Sequence, residues 1–454
     1  MTAAAAHAER ARAMLHAPVL PTLFRLAAPN VIGLVVVTVM IGFDGWILGR
    51  LGADALAGAA LVFPLSMLMT QMSAGGMGGA VTAAVARALG GGRRAEAAGL
   101  GWHALYIALA LAAAFTIALL TGGRAIYSAM GGEGGALAAA LAYSNVLFAG
   151  AILTWISNTL AAVVRGAGNM VLPSATMIGV AGVHLVLCPL LVFGAAGWPG
   201  LGIAGAAVSS ITTSAITSAV LGAWLVRGRG ALRLTSSDVA MRRSAFDAIL
   251  RVGLPASLSP VLSNFSIAIA TALIGSYGTA ALAGYGVAAR LEYVMVPVAF
   301  GFGTALTALV ATNMGAGQRA RALAATWSGA LVVAAFTGCV GVVAAIHPPL
   351  WMDLFSDDPA VLDFGGRYLR VVGAFYFLFG LGLTLFFASQ GAGRMFWPLA
   401  GSFARVACVG GIGWLAVHVF GVGADGLFAV IAAGFAVYAL IIAASIRLGS
   451  WASA

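Results

Sequence analysis

Twelve apolar runs, each long enough to cross a lipid bilayer, dominate this 454-residue chain. A membrane-spanning helix needs about 20 apolar residues, because its backbone polar groups must be hydrogen-bonded within the segment where water is absent. Only 8% of the residues are charged, against about 25% in soluble globular proteins. The pattern predicts an all-α integral membrane protein with twelve transmembrane helices. The runs are 27–48, 55–88, 97–121, 135–163, 171–194, 201–226, 248–274, 279–311, 322–346, 360–388, 396–420 and 426–446.

The net charge of +10 comes from arginine, since the chain has 23 basic residues and no Lys among them. Most of these Arg lie in alternate connections between the runs, whereas the other connections hold only Arg50 and Arg124. Basic loops stay on the cytoplasmic side of a membrane, so both termini are expected in the cytoplasm. The charge therefore indicates orientation in a lipid bilayer rather than nucleic-acid binding.

Three segments of the first half recur in the second half at an offset of 225 or 226 residues. They are GRLGADALAG at 49–58 with GSYGTAALAG at 275–284, ALGGGRRAEA at 88–97 with NMGAGQRARA at 313–322, and VRGAGNMVLP at 164–173 with SQGAGRMFWP at 389–398. Each half has six spans, so both copies begin on the same side and are related by an axis along the membrane normal. Parallel repeats of this kind suggest a secondary transporter, and the sequence contains no P-loop for an ATP motor.

The repeat divides the chain into two bundles of six helices, 27–226 and 248–446. The remaining segments are expected to be cytoplasmic: an N-terminal segment at 1–26, a basic linker at 227–247 and a tail at 447–454. The three cysteines lie in separate apolar runs, which argues against a disulfide or a zinc site. With no metal cluster and no nucleophile triad, neither an enzyme nor a cofactor is predicted.

Several short motifs occur in an order and spacing that identify a transporter family. They are Pro29 and Pro255 early in spans one and seven, FDGWILGRLGADALAG, VARALGGGRRAEA, the RGAGN turn at Arg165 to Pro173, and CPLLVFGAAGWPGLGIAGAA after span five. In these motifs the chain resembles the multidrug and toxic compound extrusion (MATE) transporters. The resemblance implies a V-shaped protein of the bacterial inner membrane that exports small cationic or amphipathic compounds in exchange for protons or sodium ions. We expect it to act as a monomer.

Asp44 is the only charged residue of the first apolar run, where a charge costs roughly 3 kcal/mol or more. The resemblance matches Asp44 to the first-span aspartate with which one branch of the family binds the coupling ion. The partner positions of that branch, an Asn and an Asp in span five and a hydroxyl residue in span six, read here as His184, Cys188 and Ser210. His184 and Cys188 are four residues apart and share one helix face.

These replacements favour the proton as the coupling ion. Sodium prefers oxygen ligands, and an imidazole or a thiol is a poor substitute. A proton needs only a group that can gain and lose it, and imidazole does so near neutral pH. Asp44 and His184 are therefore predicted to couple transport to protons. The other branch places its cation site on acids of spans seven and ten, and the matching stretches PVLSNFS and FYFLFGLGLTLFFAS contain none.

Other residues are candidates for an ion or substrate cavity. Asn30 lies roughly four helical turns before Asp44, so the two side chains could face one cavity. Either Asn30 or Asn158 could instead join two helices. Arg290 and Glu292 are two residues apart on a helix, so each is expected to have its own partner. Aromatic faces suit cationic substrates and methionine adapts to varied ones, although such residues also simply pack. The remaining candidates are Met69, Trp155 and Tyr285.

Two alternative functions stay open on the sequence. The first is a sodium-coupled exporter of the same fold. The second is a flippase of lipid-linked precursors from the wider superfamily, for which extra spans or a strongly cationic cavity would be expected.

Overall fold

The computed structural model describes residue 9 and residues 12–195, 197–228, 230–235 and 240–451, and it is almost entirely helical. Among these residues, eleven helices are long and apolar enough to cross a membrane, and the pair α4 and α5, bent by 49°, brings the number to twelve when it is taken as one span. The predicted all-α membrane fold is confirmed. The helices are α1 Val19–Gly49, α2 Ala53–Gly90, α3 Arg94–Ala129, α4 Gly134–Ala149, α5 Ala151–Gly166, α6 Val171–Phe193, α7 Ile203–Val226, α8 Arg243–Gly275, α9 Thr279–Gly315, α10 Arg319–Ile346, α11 Pro359–Ala392, α12 Phe396–His418 and α13 Ala424–Arg447.

Two spans differ from their predicted form. Helix α1 begins at Val19 rather than at residue 27, because the backbone continues helically beyond the apolar run, through a turn that carries Arg25. The predicted N-terminal segment at 1–26 therefore ends inside α1, and part of it lies outside the described residues, as do parts of the predicted linker and tail. The predicted span 135–163 bends at Gly150, where a Cβ atom would collide with Ile211.

Helix α2 contains a π-helical segment, Gln71–Met77. A π turn is wider than an α turn and changes which carbonyls are free to accept other donors. Two of its carbonyls, those of Gly75 and Gly76, accept hydrogen bonds from Nε2 of Gln390 at 3.0 and 2.9 Å. Gln390 belongs to α11, so this side chain joins the second half of the protein to the first.

The sequence repeat is matched by a repeat of contacts. The hydroxyl of Thr82 donates to the carbonyl of Ala162 at 3.0 Å, and the hydroxyl of Thr307, 225 residues later, donates to the carbonyl of Phe387 at 2.9 Å. The two halves are thus built from equivalent helices in equivalent positions.

The two halves meet at the end of the molecule where the helices carry Arg87, Arg165, Arg251 and Arg394. We term this end the basic end. Glycine permits the contact: a Cβ atom at Gly90 would collide with the carbonyl of Thr312, and one at Gly315 with the carbonyl of Arg87. These two contacts are related by the repeat.

The hydrophobic core shows the same arrangement. Among the described residues, two clusters of buried residues contain members of both halves, whereas two others belong to one half each. The cluster around Ile47 and Ile203 lies in the first half, and the cluster around Phe364 and Phe428 lies in the second. The halves therefore share a core at the basic end and have separate cores toward the opposite end, as in a V.

Replacement of Gly90 by alanine tests this closure. A Gly→Ala change within a helix normally stabilises it by up to about 1 kcal/mol, but the new methyl group would collide with Thr312. We expect Gly90→Ala to lower the melting temperature of the detergent-solubilised protein by several degrees. Gly99→Ala on α3 is the control, because a Cβ atom there meets nothing within 4 Å. Equal melting temperatures for the two variants would contradict the packing described.

Candidate functional site

Asp44 lies on the last turns of α1, five residues before the helix ends at Gly49. Its carboxylate Oδ1 is 2.7 Å from Nε2 of His184 on α6. The His184 side chain is 1% exposed and that of Asp44 is 29% exposed. The pair therefore joins a buried imidazole to a carboxylate that water or an ion can still reach.

The other ring nitrogen of His184 also has a partner. Nδ1 is 2.9 Å from the hydroxyl of Ser209 on α7. A neutral imidazole can donate from one nitrogen and accept at the other, and an imidazolium donates from both. The hydroxyl can either donate or accept, so the ring keeps two hydrogen bonds in each protonation state. The arrangement can take up and release a proton without leaving a buried polar atom unpaired.

Cys188 lies one turn beyond His184 on α6, and its thiol approaches Oδ1 of Asp44 at 3.8 Å. One donor atom from each of Asp44, His184 and Cys188 lies within 4.8 Å of the other two. Tyr143 packs against the same cluster of residues as Cys188. The structure thus brings three of the predicted residues together at one point between α1 and α6.

Ser210, the predicted fourth member, does not join them. Its hydroxyl donates to the carbonyl of Ala206 within α7 at 3.1 Å, whereas the preceding residue, Ser209, contacts His184. Adjacent helix positions point about 100° apart, so a shift of one residue changes the face. The signal for Ser209 is a stripe of small residues at intervals of four, Gly205, Ser209 and Thr213, all of which are buried.

The two candidate asparagines join helices and do not reach Asp44. Asn30 donates to the Thr304 hydroxyl at 3.0 Å and accepts from Ser174 at 3.2 Å. Because Thr304 lies on α9, Asn30 links the two halves, and it is about 21 Å from Asp44 along α1. Asn158 donates to Ser73 of the π-helical segment at 2.8 Å. The expectation that Asn30 and Asp44 share one cavity is therefore not met.

Arg290 and Glu292 have different partners, as their spacing predicts. The guanidinium of Arg290 lies over the ring of Phe355 at 5.8 Å. The carboxylate of Glu292 accepts a hydrogen bond from the hydroxyl of Tyr368 at 3.1 Å. Tyr285 packs edge-to-face against Tyr368 at 5.2 Å, so it supports this polar group and is itself buried.

Met69 and Trp155 lie in the packed interior of the first half, with exposed fractions of 2% and 0%. The ring of Trp155 contacts that of Phe115 at 6.0 Å. The prediction that these two side chains line a cavity is wrong for this conformation, because neighbouring side chains cover them.

Comparison with known proteins places the chain among membrane transporters. The MatE family model matches residues 29–190 and 255–414. The FAD transporter of Shewanella oneidensis is 26% identical over 83% of this chain and 82% of its own. The multidrug resistance protein NorM of Burkholderia vietnamiensis is 28% identical over 92% of each chain. Among solved structures, an outward-facing multidrug resistance MATE family transporter superposes with a TM-score of 0.89 and 25% identity, over 97% of this chain and 98% of its own.

The two serines of α7 provide a matched test of the site geometry. Ser209→Ala leaves Nδ1 of the buried imidazole without a partner, which costs about 1–3 kcal/mol. Ser210→Ala removes only a hydrogen bond within its own helix and should change stability little. Thermal unfolding of the two variants in detergent measures the difference. Equal stabilities would show that Ser209 does not pair with His184.

Proposed function

The chain belongs to the MatE family, and on that premise we propose that it is an antiporter exporting small cationic or amphipathic organic compounds in exchange for protons. Proteins of this family are membrane transporters and not enzymes. The observation that carries the proposal is the 2.7 Å contact between Asp44 and His184. Cys188 and Ser209 complete the site around this pair.

The proton occupies the contact between carboxylate and imidazole. In the loaded state the imidazolium faces a carboxylate, or a neutral carboxylic acid faces a neutral imidazole. In the empty state a neutral imidazole donates from Nε2 to the charged carboxylate. Loading therefore changes the net charge of this partly exposed site by one unit and retains its hydrogen bonds. The partly exposed carboxylate of Asp44 provides the route by which the proton enters and leaves.

Helix α1 connects this site to the contact between the halves. Asp44 lies near one end of α1, and Asn30, about 21 Å away, is bonded to Thr304 of the second half. The next residue, Val31, packs against Gly301 so closely that a Cβ atom at Gly301 would approach its backbone nitrogen to 2.9 Å. A change in the fit of α1 against α6 on protonation thus acts directly on this contact between the halves.

Exchange follows if proton and substrate prefer different conformations. A ligand shifts a conformational equilibrium only by its difference in affinity for the two states. Protonation at Asp44 stabilises the state open away from the basic end and lowers its affinity for the exported compound. Release of the proton on the cytoplasmic side restores the affinity and returns the transporter for another cycle.

The donor set favours the proton over sodium. The atoms around the carboxylate are an imidazole nitrogen, a thiol sulfur and, behind the ring, a hydroxyl. Sodium would lose hydration oxygens and gain few in return. The sodium-coupled exporter is therefore the alternative outcome of the experiment below.

The remaining features follow from the same proposal. Cationic and amphipathic substrates fit relatives named for multidrug resistance, and one relative named a FAD transporter makes FAD a useful test compound. The cluster of arginines at the basic end supports a cytoplasmic location for that end, and the membrane we propose is the inner membrane of a bacterium. Both halves of the transport path come from one chain, so a monomer suffices.

Asp44→Asn tests the coupling site in proteoliposomes. The vesicles hold a pH-sensitive dye, carry an imposed proton gradient, and receive ethidium, a fluoroquinolone or FAD. We expect substrate-driven proton movement in the wild type and a reduction of at least about tenfold in Asp44→Asn. Ser210→Ala is the control and should transport normally, because Ser210 is bonded within its own helix.

The other outcomes are distinct. Undiminished proton movement in Asp44→Asn would remove Asp44 from coupling. Transport that appears only with a sodium gradient would replace the proton by sodium. No transport of any compound under either gradient would overturn the drug-export proposal and favour the lipid-linked flippase.

A further inference from the structure

A cleft of about 640 Å³ opens at the basic end, between the two halves and far from Asp44. Arg87 of α2 forms the wall contributed by the first half, and Arg251 of α8 and Arg394, which follows α11, belong to the second half. We term it the basic cleft. A smaller cavity of about 270 Å³ adjoins it and shares Arg87 and Ala248. Neither cavity has a role in proton coupling as proposed above.

Arg87 is the unusual member of this lining. Its side chain is half-buried, and within the described residues its one hydrogen bond runs to the carbonyl of Gly391 at a long 3.3 Å. No carboxylate of the described chain forms an ion pair with it. A guanidinium has five N–H groups, so most of its donors are left for another partner. Partial removal of such a cation from water without a counter-charge is unfavourable.

The backbone at Gly393 leaves room for the Arg87 side chain. Gly393 has a φ of +76°, and a Cβ atom there would collide with Nη1 of Arg87. Glycine therefore both forms the left-handed turn after α11 and leaves room for the guanidinium. The side chain is therefore directed across the boundary between the halves, toward Gly391 and Gly393.

The charges around Arg87 increase the need for an anion. Arg251 is exposed at the cleft, and the lining contains one carboxylate, that of Asp247, one turn earlier on α8. No ion pair joins Asp247 to Arg251 in the described part of the chain. Among the described residues of this lining, the guanidinium groups of Arg87 and Arg251 thus face one acid. Guanidinium pairs bind phosphate oxygens through parallel, charge-assisted hydrogen bonds.

We propose that the basic cleft binds a phosphate oxyanion, held by Arg87 from the first half and by Arg251 from the second. Its ligands come from both halves, so the anion binds when the basic end is closed and favours that conformation. Two sources present this chemistry at a membrane surface: the headgroup of an anionic phospholipid, and a soluble phosphate ester or inorganic phosphate.

Melting temperatures of the purified, full-length protein distinguish the two sources. In one arm, inorganic phosphate is compared with chloride at equal ionic strength in detergent. In the other, nanodiscs containing phosphatidylglycerol are compared with nanodiscs of phosphatidylcholine alone. A rise in melting temperature in the first arm identifies a soluble phosphate as ligand, and a rise in the second arm only identifies a lipid headgroup. No rise in either arm overturns the proposal.

Variants of the cleft residues test whether the rise in melting temperature arises at the basic cleft. Arg251→Gln removes an exposed charge and leaves the half-buried Arg87 in place, and it should weaken the apparent affinity about tenfold or more. Arg87→Gln should abolish the stabilisation. Arg227→Gln is the control, since Arg227 is exposed and does not line the basic cleft. Stabilisation that survives in both Arg251→Gln and Arg87→Gln would exclude the cleft as the binding site.

A separate measurement tests whether bound phosphate stabilises the closed conformation of the basic end. Ala88 lines the adjoining cavity and is 1% exposed in the closed state. A cysteine at this position, in a chain whose three native cysteines are replaced by alanine, should react with maleimide only when the halves separate. Bound phosphate should slow this reaction in the wild-type background and not in Arg87→Gln. An unchanged rate would contradict stabilisation of the closed end. Neither measurement requires transport, so each can fail independently of the proposed antiport.

Discussion

Backbone-to-backbone contact between the two halves at the basic end is the constraint on which the rest of this structure depends. Where α2 and α9 cross, Gly90 and Gly315 each lie against a carbonyl of the other half. Small residues are what permit such close approach within a bilayer, where apolar burial provides no driving force between helices. The contact closes one end of the V, leaves separate cores at the other, and forms the walls of the basic cleft.

The candidate coupling site lies away from this closure, and α1 spans the distance between them. At one end of α1, Asp44 contacts His184, and nearer the other end Asn30 bonds to Thr304 of the second half. A rigid helix that participates in both contacts can transmit a change in protonation as a change in the fit between the halves. The ion-binding site thus lies in the first bundle, and the change in fit that it causes occurs at the boundary between the two bundles.

Much of the site was predictable because it depends on spacing along single helices. Asp44 stands out as a charge in an apolar run, and His184 and Cys188 share a face because four residues separate them. The predicted site residues were wrong where their position depended on the rotation of a helix about its axis. Ser209 rather than Ser210 faces His184, and Met69 and Trp155 face the packed interior. Helix α7 carries hydroxyl residues on several faces, at Ser209, Ser210, Thr212 and Thr213, so hydropathy cannot select the inward one.

The sequence by itself determined the class of protein, the number of spans, the twofold repeat and the identity of the charged residue in the first span. These follow from hydropathy, from the distribution of arginine and from similarity between segments, all of which are local properties of the chain. Only the tertiary structure decided which side chains meet across helices, that Asn30 joins the halves and that Arg87 is half-buried and forms no ion pair with an acid of the described residues. Those outcomes depend on how helices rotate and pack against one another, and the packing is set by contacts between residues hundreds of positions apart.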